Sequence, residues 1–436
     1  MSNTLIVGSG PVAIQLAQLY SQMAHQTIDM VSRVKTSASS QRVYNAYQRD
    51  GYFKVTTQNA AHQQLSGEFK VRQFYKDIQE VSSTYNTLIM ACTADAYRSI
   101  LNRLAKATVE CLQHIVLVSP TLGSHMVIEQ LLSELNLDVE VVSFSTYLGD
   151  TRVVDTTQPH QVLTSGVKSK LYVGSTHTDS RFIDRICVLF HHLNIQIAVM
   201  DTPLHAEVHN SSLYVHPALF MNDFSLQAVF KGTTVPVYVY KLFPEGPITM
   251  KLIREMRQMR VEMMKILNEL RVPSVNLLKF MVKENYPVRP ETLSEREINQ
   301  FEDLPAIHQE YLLYVRYTAI LIDPFSEPDS NGHYFDFSAV PYKRLYIDEE
   351  GVTHIPRMPS EDSYRTAMIQ AVGRALNVKT PMIDQFLARY RSYCDGYRAE
   401  HPKQSLSAQF DSHQYDEDIA LVKQFLKNKT EHNATH

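Results

Sequence analysis

Near the start of the chain, Gly8-Ser9-Gly10-Pro11-Val12-Ala13 has the G-x-G-x-x-A spacing of a dinucleotide-binding turn. It follows the apolar run Leu5 to Val7 and opens the helical pattern Val12 to Met23, the context such a turn requires. Gly8 permits the tight turn, Gly10 lets the backbone approach a pyrophosphate, and Ala13 allows close helix packing. The helix start offers phosphates its free N–H groups and positive dipole end, and Pro11 suits a first turn that needs no N–H partner. The alternative is a tight βα turn with no ligand. About 20 residues further on, at the end of the second strand, such a fold reads the ribose. Asp29 would be the acid for NAD, but it lies inside the strand, with Met30 and Val31 still to come. Ser32, Arg33, Lys35 and Thr36 occupy the turn itself, and a guanidinium fork suits a 2′-phosphate. The pattern favours NADPH. The strand Thr87 to Cys92 runs out into Cys92, Thr93 and Ala94, small residues at an edge where open α/β sheets accept ligands. No base is identifiable beside Cys92, which reads as a packing residue.

With a hydride supplied by a cofactor, the protein must add a proton donor, and histidine suits that work at neutral pH. Eighteen histidines leave the choice open. The segment His205 to Pro217 narrows it, because it lies where a nucleotide domain would hand over to the next one. His216 precedes Pro217, which biases it towards a segment boundary rather than helix. Asp150 closes the loop Thr146 to Asp150 after a strand, and a carboxylate there could fix the imidazole tautomer. Spacing alone does not separate this pair from a satisfied interdomain histidine and an unrelated acid. His205 and His209 stand four apart, but Glu207 is misplaced for H-E-x-x-H, so an exposed polar helix is preferred to a metal site. His191 and His192 read the same way.

The elements that must position these groups follow from length and pattern. A chain of 436 residues implies two domains, each able to bury its own core. Residues 1–203 alternate β-rich runs with amphipathic segments, the pattern of a Rossmann-like, doubly wound parallel sheet in the α/β class. The runs are Leu5 to Val7, Thr27 to Ser32, Thr87 to Cys92, His114 to Ser119, Val139 to Phe144, Leu171 to Gly174 and Ile195 to Met200; Phe53 to Val55 and Glu68 to Phe74 read as extra edge strands. Residues 204–436 are expected to be mainly α-helical and catalytic. Ile248, Leu252, Met256, Met259 and Met263 form one apolar stripe, and Leu304 to Ile322, Ser363 to Leu376 and Pro381 to Tyr393 read as further helices. Asp323 to Tyr342 is loop or hairpin, and the polar tail Asn428 to His436 is expected to fray.

A net charge of -4 gives no basic footprint for nucleic acid or an anionic membrane, so small molecules are the expected partners. No stretch approaches the roughly 20 apolar residues of a membrane span, and the N-terminus lacks the pattern of a signal peptide. Four scattered cysteines form no disulfide framework or CxxC pair, and the expected location is cytoplasmic.

Beyond these patterns, long runs resemble the staphylopine dehydrogenases, the opine metallophore dehydrogenases of bacteria. They are VGSGPVAIQLA near the start, MACTADAY at 90–97, VSFSTYLGDTR at 142–152, NSSLYVHPALFMNDFS at 210–225, VPVYVYKLFPEGPITM at 235–250, VPSVNLLKFMVKENYPVRPETL at 272–293 and NGHYFDFSAVP at 331–341. The resemblance spans essentially the whole length. It implies NADPH as donor and reductive condensation of pyruvate, or another 2-oxo acid, with the amine of a histidine-derived aminobutyrate, giving a staphylopine-type chelator. It further implies that His216 is the acid/base residue, Asp150 its carboxylate partner and Arg33 the 2′-phosphate contact, with Lys35 a weaker match. No metal is expected in the enzyme, and a homodimer is. The competing readings are a 2-hydroxy-acid or ketopantoate-type dehydrogenase, and a non-catalytic NADPH sensor.

Overall fold

A computed structural model describes residues 2–22, 26–82, 84–285, 288–319 and 338–434. The chain forms two compact units, Met1–His209 and Asn210–His436.

In the first unit the chain runs β1 (Ser2–Val7), α1 (Pro11–Ser21), β2 (Gln26–Val31), α2 (Ala38–Asp50), β3 (Phe53–Thr57), β4 (Gly67–Phe69) and β5 (Phe74–Tyr75). It continues through β6 (Thr87–Met90), α3 (Tyr97–Arg103), α4 (Lys106–Val109), β7 (His114–Leu117), α5 (Ser124–Glu134), β8 (Glu140–Phe144), β9 (Asp150–Val153) and β10 (Gln161–Ser165). Then come β11 (Lys170–Ser175), α6 (Arg181–His192), β12 (Gln196–Met200) and α7 (Pro203–Glu207). The main sheet has the order β12-β11-β8-β7-β6-β1-β2-β5. From β5 to β8 the strands are parallel, and their apolar runs are buried on both faces, as βαβ crossovers require.

Two features depart from the expected parallel sheet. β11 pairs antiparallel with β8, so β11 and β12 run against the other six strands. β3 and β4 leave the main sheet altogether and join β10 and β9 in a second, four-stranded sheet of order β4-β3-β10-β9. The reason lies in α1, which buries an unbroken run from Ala13 to Tyr20 and so needs cover on both faces. Its inward Gln15 and Gln18 are buried too, and polar groups there must find partners. Gln15 Nε2 donates to Leu65 O (3.0 Å), Gln18 Nε2 to Ser66 O (3.2 Å), and Thr164 Oγ1 donates to Gln15 Oε1 (2.6 Å). The second sheet is thereby stitched onto the helix that begins at the glycine turn.

The second unit holds α8 (Ser212–Phe220), α9 (Asp223–Phe230), α10 (Met250–Glu269), α11 (Leu277–Lys279), α12 (Glu295–Asn299) and α13 (Ala306–Ala319). After a short hairpin, β13 (Tyr346–Ile347) and β14 (Thr353–His354), come α14 (Arg357–Ala375), α15 (Pro381–Glu400) and α16 (Asp416–Ala434). α10 is central and packs against α8, α13, α14 and α15. Its expected stripe is inside: Ile248, Leu252, Met256, Met259 and Met263 are at most 4 % exposed. Burying a side chain of this size contributes roughly 1.5–3 kcal/mol. Glu262 on α10 accepts hydrogen bonds from Met382 N (2.8 Å) and Ile383 N (3.0 Å), closing the start of α15.

The expected tail is part of α16 as far as Ala434, where α16 packs on α14 and Tyr364 Oη donates to Asp418 Oδ2 (2.9 Å). The helix continues into the tail, whose Lys429, Thr430 and Glu431 are exposed. Met23, residues 320–322 of the expected Leu304 to Ile322 helix, 323–337 of the expected loop and 435–436 lie outside the described residues. The division between units falls after His209 rather than before Leu204. α7 packs on β8 and β11, and its Glu207 is fully buried.

Candidate active site

The glycine turn has the geometry its sequence demands. Gly8 sits at φ +130°, and a Cβ there would lie 2.5 Å from Ala91 O and 3.3 Å from Ala13 Cβ. Nothing larger than hydrogen fits between β1, the carboxyl end of β6 and α1. Gly8 N donates to Val31 O (2.8 Å), fixing the turn against the end of β2. Gly10 caps α1 with no side-chain hydrogen bond, Pro11 opens the helix, and a Cβ on Gly10 would meet nothing within 4 Å. That open space before a helix start is what a diphosphate requires. Buried Ser9 and Ser32 share a hydrogen bond (2.7 Å), and Ser32 Oγ donates to Ser40 Oγ (2.9 Å), tying the turn to α2.

The residues after β2 separate clearly. Asp29 is fully buried and fully used: Arg72 Nε and Nη2 reach its two oxygens (3.1 and 2.5 Å), Gln73 N donates to Oδ1 (2.9 Å) and Tyr85 Oη to Oδ2 (2.6 Å). It has no oxygen to spare for a ribose hydroxyl. Arg33 is exposed and makes no ion pair among the described residues. Lys35 is engaged, 2.6 Å from Glu80, and Thr36 is exposed with its N–H on Arg33 O (3.2 Å). Arg33 is therefore the free cation of this turn. Beside the glycines, Cys92 and Thr93 are partly buried and Ala94 is buried. Burial pushes the Cys92 thiol up to about 12, with Asp95 adding to the rise, so it is a packing residue and not a thiolate.

In the second unit, α8 is apolar almost all round. Leu213, Tyr214, Val215, Pro217, Ala218, Leu219 and Phe220 are buried, and His216 alone within that run keeps access to solvent. His216 lies inside the helix and not at a boundary, and Pro217 is accommodated within it. Packing of so apolar a helix against α10 and α14 outweighs the local bias of the His-Pro step. Asn222 holds its end, donating to Ala218 O (2.8 Å) and Leu219 O (3.1 Å) while capping α9 through Ser225 N (2.9 Å).

His216 Nδ1 lies 3.2 Å from Oδ1 of Asp362 on α14. Asp362 is fully buried, and Arg365 binds it and also Glu361 (3.0 Å). With Nδ1 against a carboxylate, that nitrogen carries the proton, and Nε2 is left as the working atom. Nε2 makes no hydrogen bond among the described residues. Such a pair can hold and deliver a proton, with the Arg365 guanidinium balancing the charge of the carboxylate.

Asp150, expected as the partner, opens β9 in the first unit, where it pairs with Ser165. Its side chain is exposed and makes no hydrogen bond or ion pair among the described residues. Within the second unit the carboxylate bonded to His216 is Asp362, which sequence reasoning did not single out. Its signal was faint: an acid within Glu361-Asp362-Ser363-Tyr364-Arg365, one turn before a basic partner on a helix.

The histidine segment before α8 is not the expected exposed polar helix. Glu207 accepts from Gly123 N (2.9 Å), His125 N (2.9 Å), His125 Nδ1 (2.8 Å) and Ser143 Oγ (3.0 Å). His205 Nδ1 meets Thr202 Oγ1 (2.8 Å), and His209 stacks on Tyr172 with ring centres 4.0 Å apart. Among the described residues no three His, Cys, Asp or Glu side chains gather as a metal site. His191 and His192 are exposed at the end of α6, as expected.

With this geometry in place, similarity to known proteins is informative. The staphylopine dehydrogenase family matches residues 2–426. The chain is 60 % identical over 431 residues to staphylopine synthase of Staphylococcus aureus, covering 99 % of this chain and 100 % of that protein. This chain belongs to the staphylopine dehydrogenase family. Pseudopaline synthase of Pseudomonas aeruginosa is 33 % identical over 408 residues, covering 92 % of this chain and 93 % of its own. Yersinopine dehydrogenase, solved with NADP+ bound, superposes with a TM-score of 0.90 at 27 % identity, over 98 % of this chain and 99 % of that one. Members of this family are oxidoreductases of the opine dehydrogenase kind, so the expected Rossmann-like unit followed by a helical unit is the family's architecture. No helix among the described residues is long and apolar enough to cross a membrane.

Proposed function

We propose that this chain catalyses NADPH-dependent reductive condensation of a 2-oxo acid, pyruvate in the first instance, with the primary amine of a histidine-derived aminobutyrate, giving a staphylopine-type opine. The observation that carries the reading is the His216–Asp362 pair: a proton-handling nitrogen anchored by a buried, charge-balanced carboxylate in an otherwise apolar helix.

The glycine turn, Ser32 and Arg33 fit the cofactor. Gly8, Ser9, Gly10, Pro11, Val12 and Ala13 supply the diphosphate turn, Arg33 the cation for a 2′-phosphate, and Cys92, Thr93 and Ala94 the small residues beside the turn. Lys35 and Thr36 have lesser parts, Lys35 being held by Glu80. When bound, NADPH supplies the hydride that reduces the imine.

The chain's own contribution is proton management. His216 Nε2, protonated, stabilises charge on the carbonyl oxygen of the oxo acid as the amine nitrogen adds to its carbon. One amine proton passes to that oxygen, giving a carbinolamine hydroxyl; His216 then gives its own proton to the hydroxyl, which leaves as water, and the protonated imine that remains is the species reduced. Asp362 holds the Nδ1 proton and the ring orientation throughout. Asp150 provides an unpaired carboxylate at the end of the loop leaving β8, available to an ammonium group. General acid–base help of this kind contributes roughly 10²–10⁴-fold. The enzyme in this reading is a cytoplasmic homodimer, a state that light scattering of the pure protein checks.

The deciding experiment is NADPH absorbance decay with pure protein, oxo acid and amine, omitting each in turn. Decay only with both present supports condensation. Decay with the oxo acid alone favours a hydroxy-acid dehydrogenase, and cofactor binding without turnover favours a sensor.

A further inference from the structure

Asp362 carries a short side chain, and the torsion that sets the plane of its carboxylate has no sharp rotamer preference. Hydrogen bonds must fix that plane. Among the described residues Oδ1 meets two partners, His216 Nδ1 (3.2 Å) and Arg365 Nη1, while the buried Oδ2 has no hydrogen bond. Apart from the imidazole it serves, Arg365 is therefore what holds this carboxylate in place. A ring and a carboxylate that held only each other could swing together.

Arg365 is itself well anchored. It lies one helical turn after both acids of α14, at the spacings of three and four that bring side chains together. Its planar guanidinium divides its fork, with Nη1 on Asp362 and Nη2 on Glu361 Oε1 (3.0 Å). Glu361 is steadied from the other side by Arg357, whose Nε lies 3.1 Å from Oε2 and whose side chain is 70 % exposed. A chain of alternating charge thus runs from solvent to the proton-handling ring: Arg357, Glu361, Arg365, Asp362, His216. Arg365 is only 5 % exposed, and its buried Nε has no hydrogen bond among the described residues. The guanidinium is spent on the two carboxylates.

We infer that Arg365 is a positioning residue for the condensation, holding the Asp362 carboxylate in the plane that presents Oδ1 to His216 Nδ1. This rests on the opine-forming reading, in which His216 handles the proton. Arg365 acts through Asp362, which separates it from a residue that merely supports the fold.

The test is a double-mutant cycle on the full-length enzyme with NADPH, oxo acid and amine, comparing Arg365→Met with wild type and again beside Asp362→Asn. Arg365→Met alone should lower kcat by about 10- to 100-fold, the size of a lost hydrogen bond to a charged group, with KM values and NADPH affinity unmoved. Beside Asp362→Asn it should lower kcat by less than about threefold, because the contact it serves is already gone. Arg365→Lys, which keeps the charge but not the fork, should recover part of the loss. An equal fall in both backgrounds, no fall in either, or a parallel loss of NADPH affinity overturns the inference. Should Arg365→Met fail to fold, Arg365→Lys takes its place, and its smaller fall must likewise vanish beside Asp362→Asn. A second readout needs no turnover. In isotope-labelled protein the Nδ1 proton resonance of His216, assigned by its loss in His216→Ala, should move in Arg365→Met and return towards its place in Arg365→Lys. An unmoved resonance also overturns the inference. A moved resonance in an enzyme that does not condense oxo acid with amine supports the positioning role and overturns the condensation reading alone.

Discussion

His216 Nδ1 and Asp362 Oδ1 are 3.2 Å apart although 146 positions separate the two residues in the chain. The contact exists because α8 and α14 pack side by side, which makes the proton-handling pair a property of the helical unit alone.

Asp362→Asn should therefore lower kcat by about 10²-fold or more, because an amide no longer stabilises the imidazolium, with little effect on cofactor binding. Asp150→Asn should leave kcat near the wild-type value and act on the amine's KM. Steady-state kinetics of the two variants decide between them; the reverse pattern would restore Asp150 as the working partner.

His216→Ala should lose about 10²–10⁴-fold in kcat while NADPH binding, followed by fluorescence titration, stays intact. Equal loss of both would mean that the ring only fills space in α8.

Arg33→Glu should weaken NADPH by about 10- to 100-fold and leave NADH nearly untouched, since only the former carries the 2′-phosphate. Asp29→Asn should behave oppositely. It should not change the NADPH to NADH ratio, yet destabilise the protein by about 3 kcal/mol, the low end for a buried pair because the Arg72 side chain is 46 % exposed. Cofactor titration and urea unfolding read the two effects separately, and a changed ratio in Asp29→Asn would revive the NAD reading.

Stability should fall as pH drops below 6.5. Burial holds both His114 and His160 below the ordinary histidine value, outweighing Glu140 and Asp50, which pull the other way. Above 6.5 neither folded nor unfolded chain protonates them, and their contribution is complete. Below it the unfolded chain takes up protons that the folded chain resists, so the contribution is lost as pH falls towards their folded values. His160→Gln, which retains a donor towards Asp50, should flatten the decline of Tm between about pH 6.5 and 5. An unchanged slope would refute the assignment for His160.

What could be read in advance was whatever local pattern encodes. The glycine turn announced itself because Gly8, Gly10 and Ala13 must be small for reasons internal to one βα unit. The Met256, Met259 and Met263 stripe showed through helical periodicity. Asp29 could be set aside because it preceded the end of its strand, although only the structure shows what Arg72 and Tyr85 do with it. Strand direction, by contrast, leaves no mark in composition: Leu171 to Gly174 reads alike whichever way it runs. The second sheet was hidden because β9 and β10 are partly exposed and lack the unbroken apolar runs of the main sheet, and Gln15 and Gln18 betray their partners only in three dimensions. Asp362 was missed for the same reason, as nothing within α14 indicates that α8 will lie beside it. His216-Pro217 misled because a local bias was overruled by burial.

The buried Glu207 has a wider consequence. Three long helices of the first unit, α1, α2 and α5, follow parallel strands of the main sheet and could each start by attracting an anion. Ser37 caps α2, and Glu207 occupies the amides of Gly123 and His125 at the start of α5. The protein has in effect answered two of its own three invitations with its own side chains. Of these three starts only the one before α1 is left open to a diphosphate, which sets the direction in which such a molecule lies.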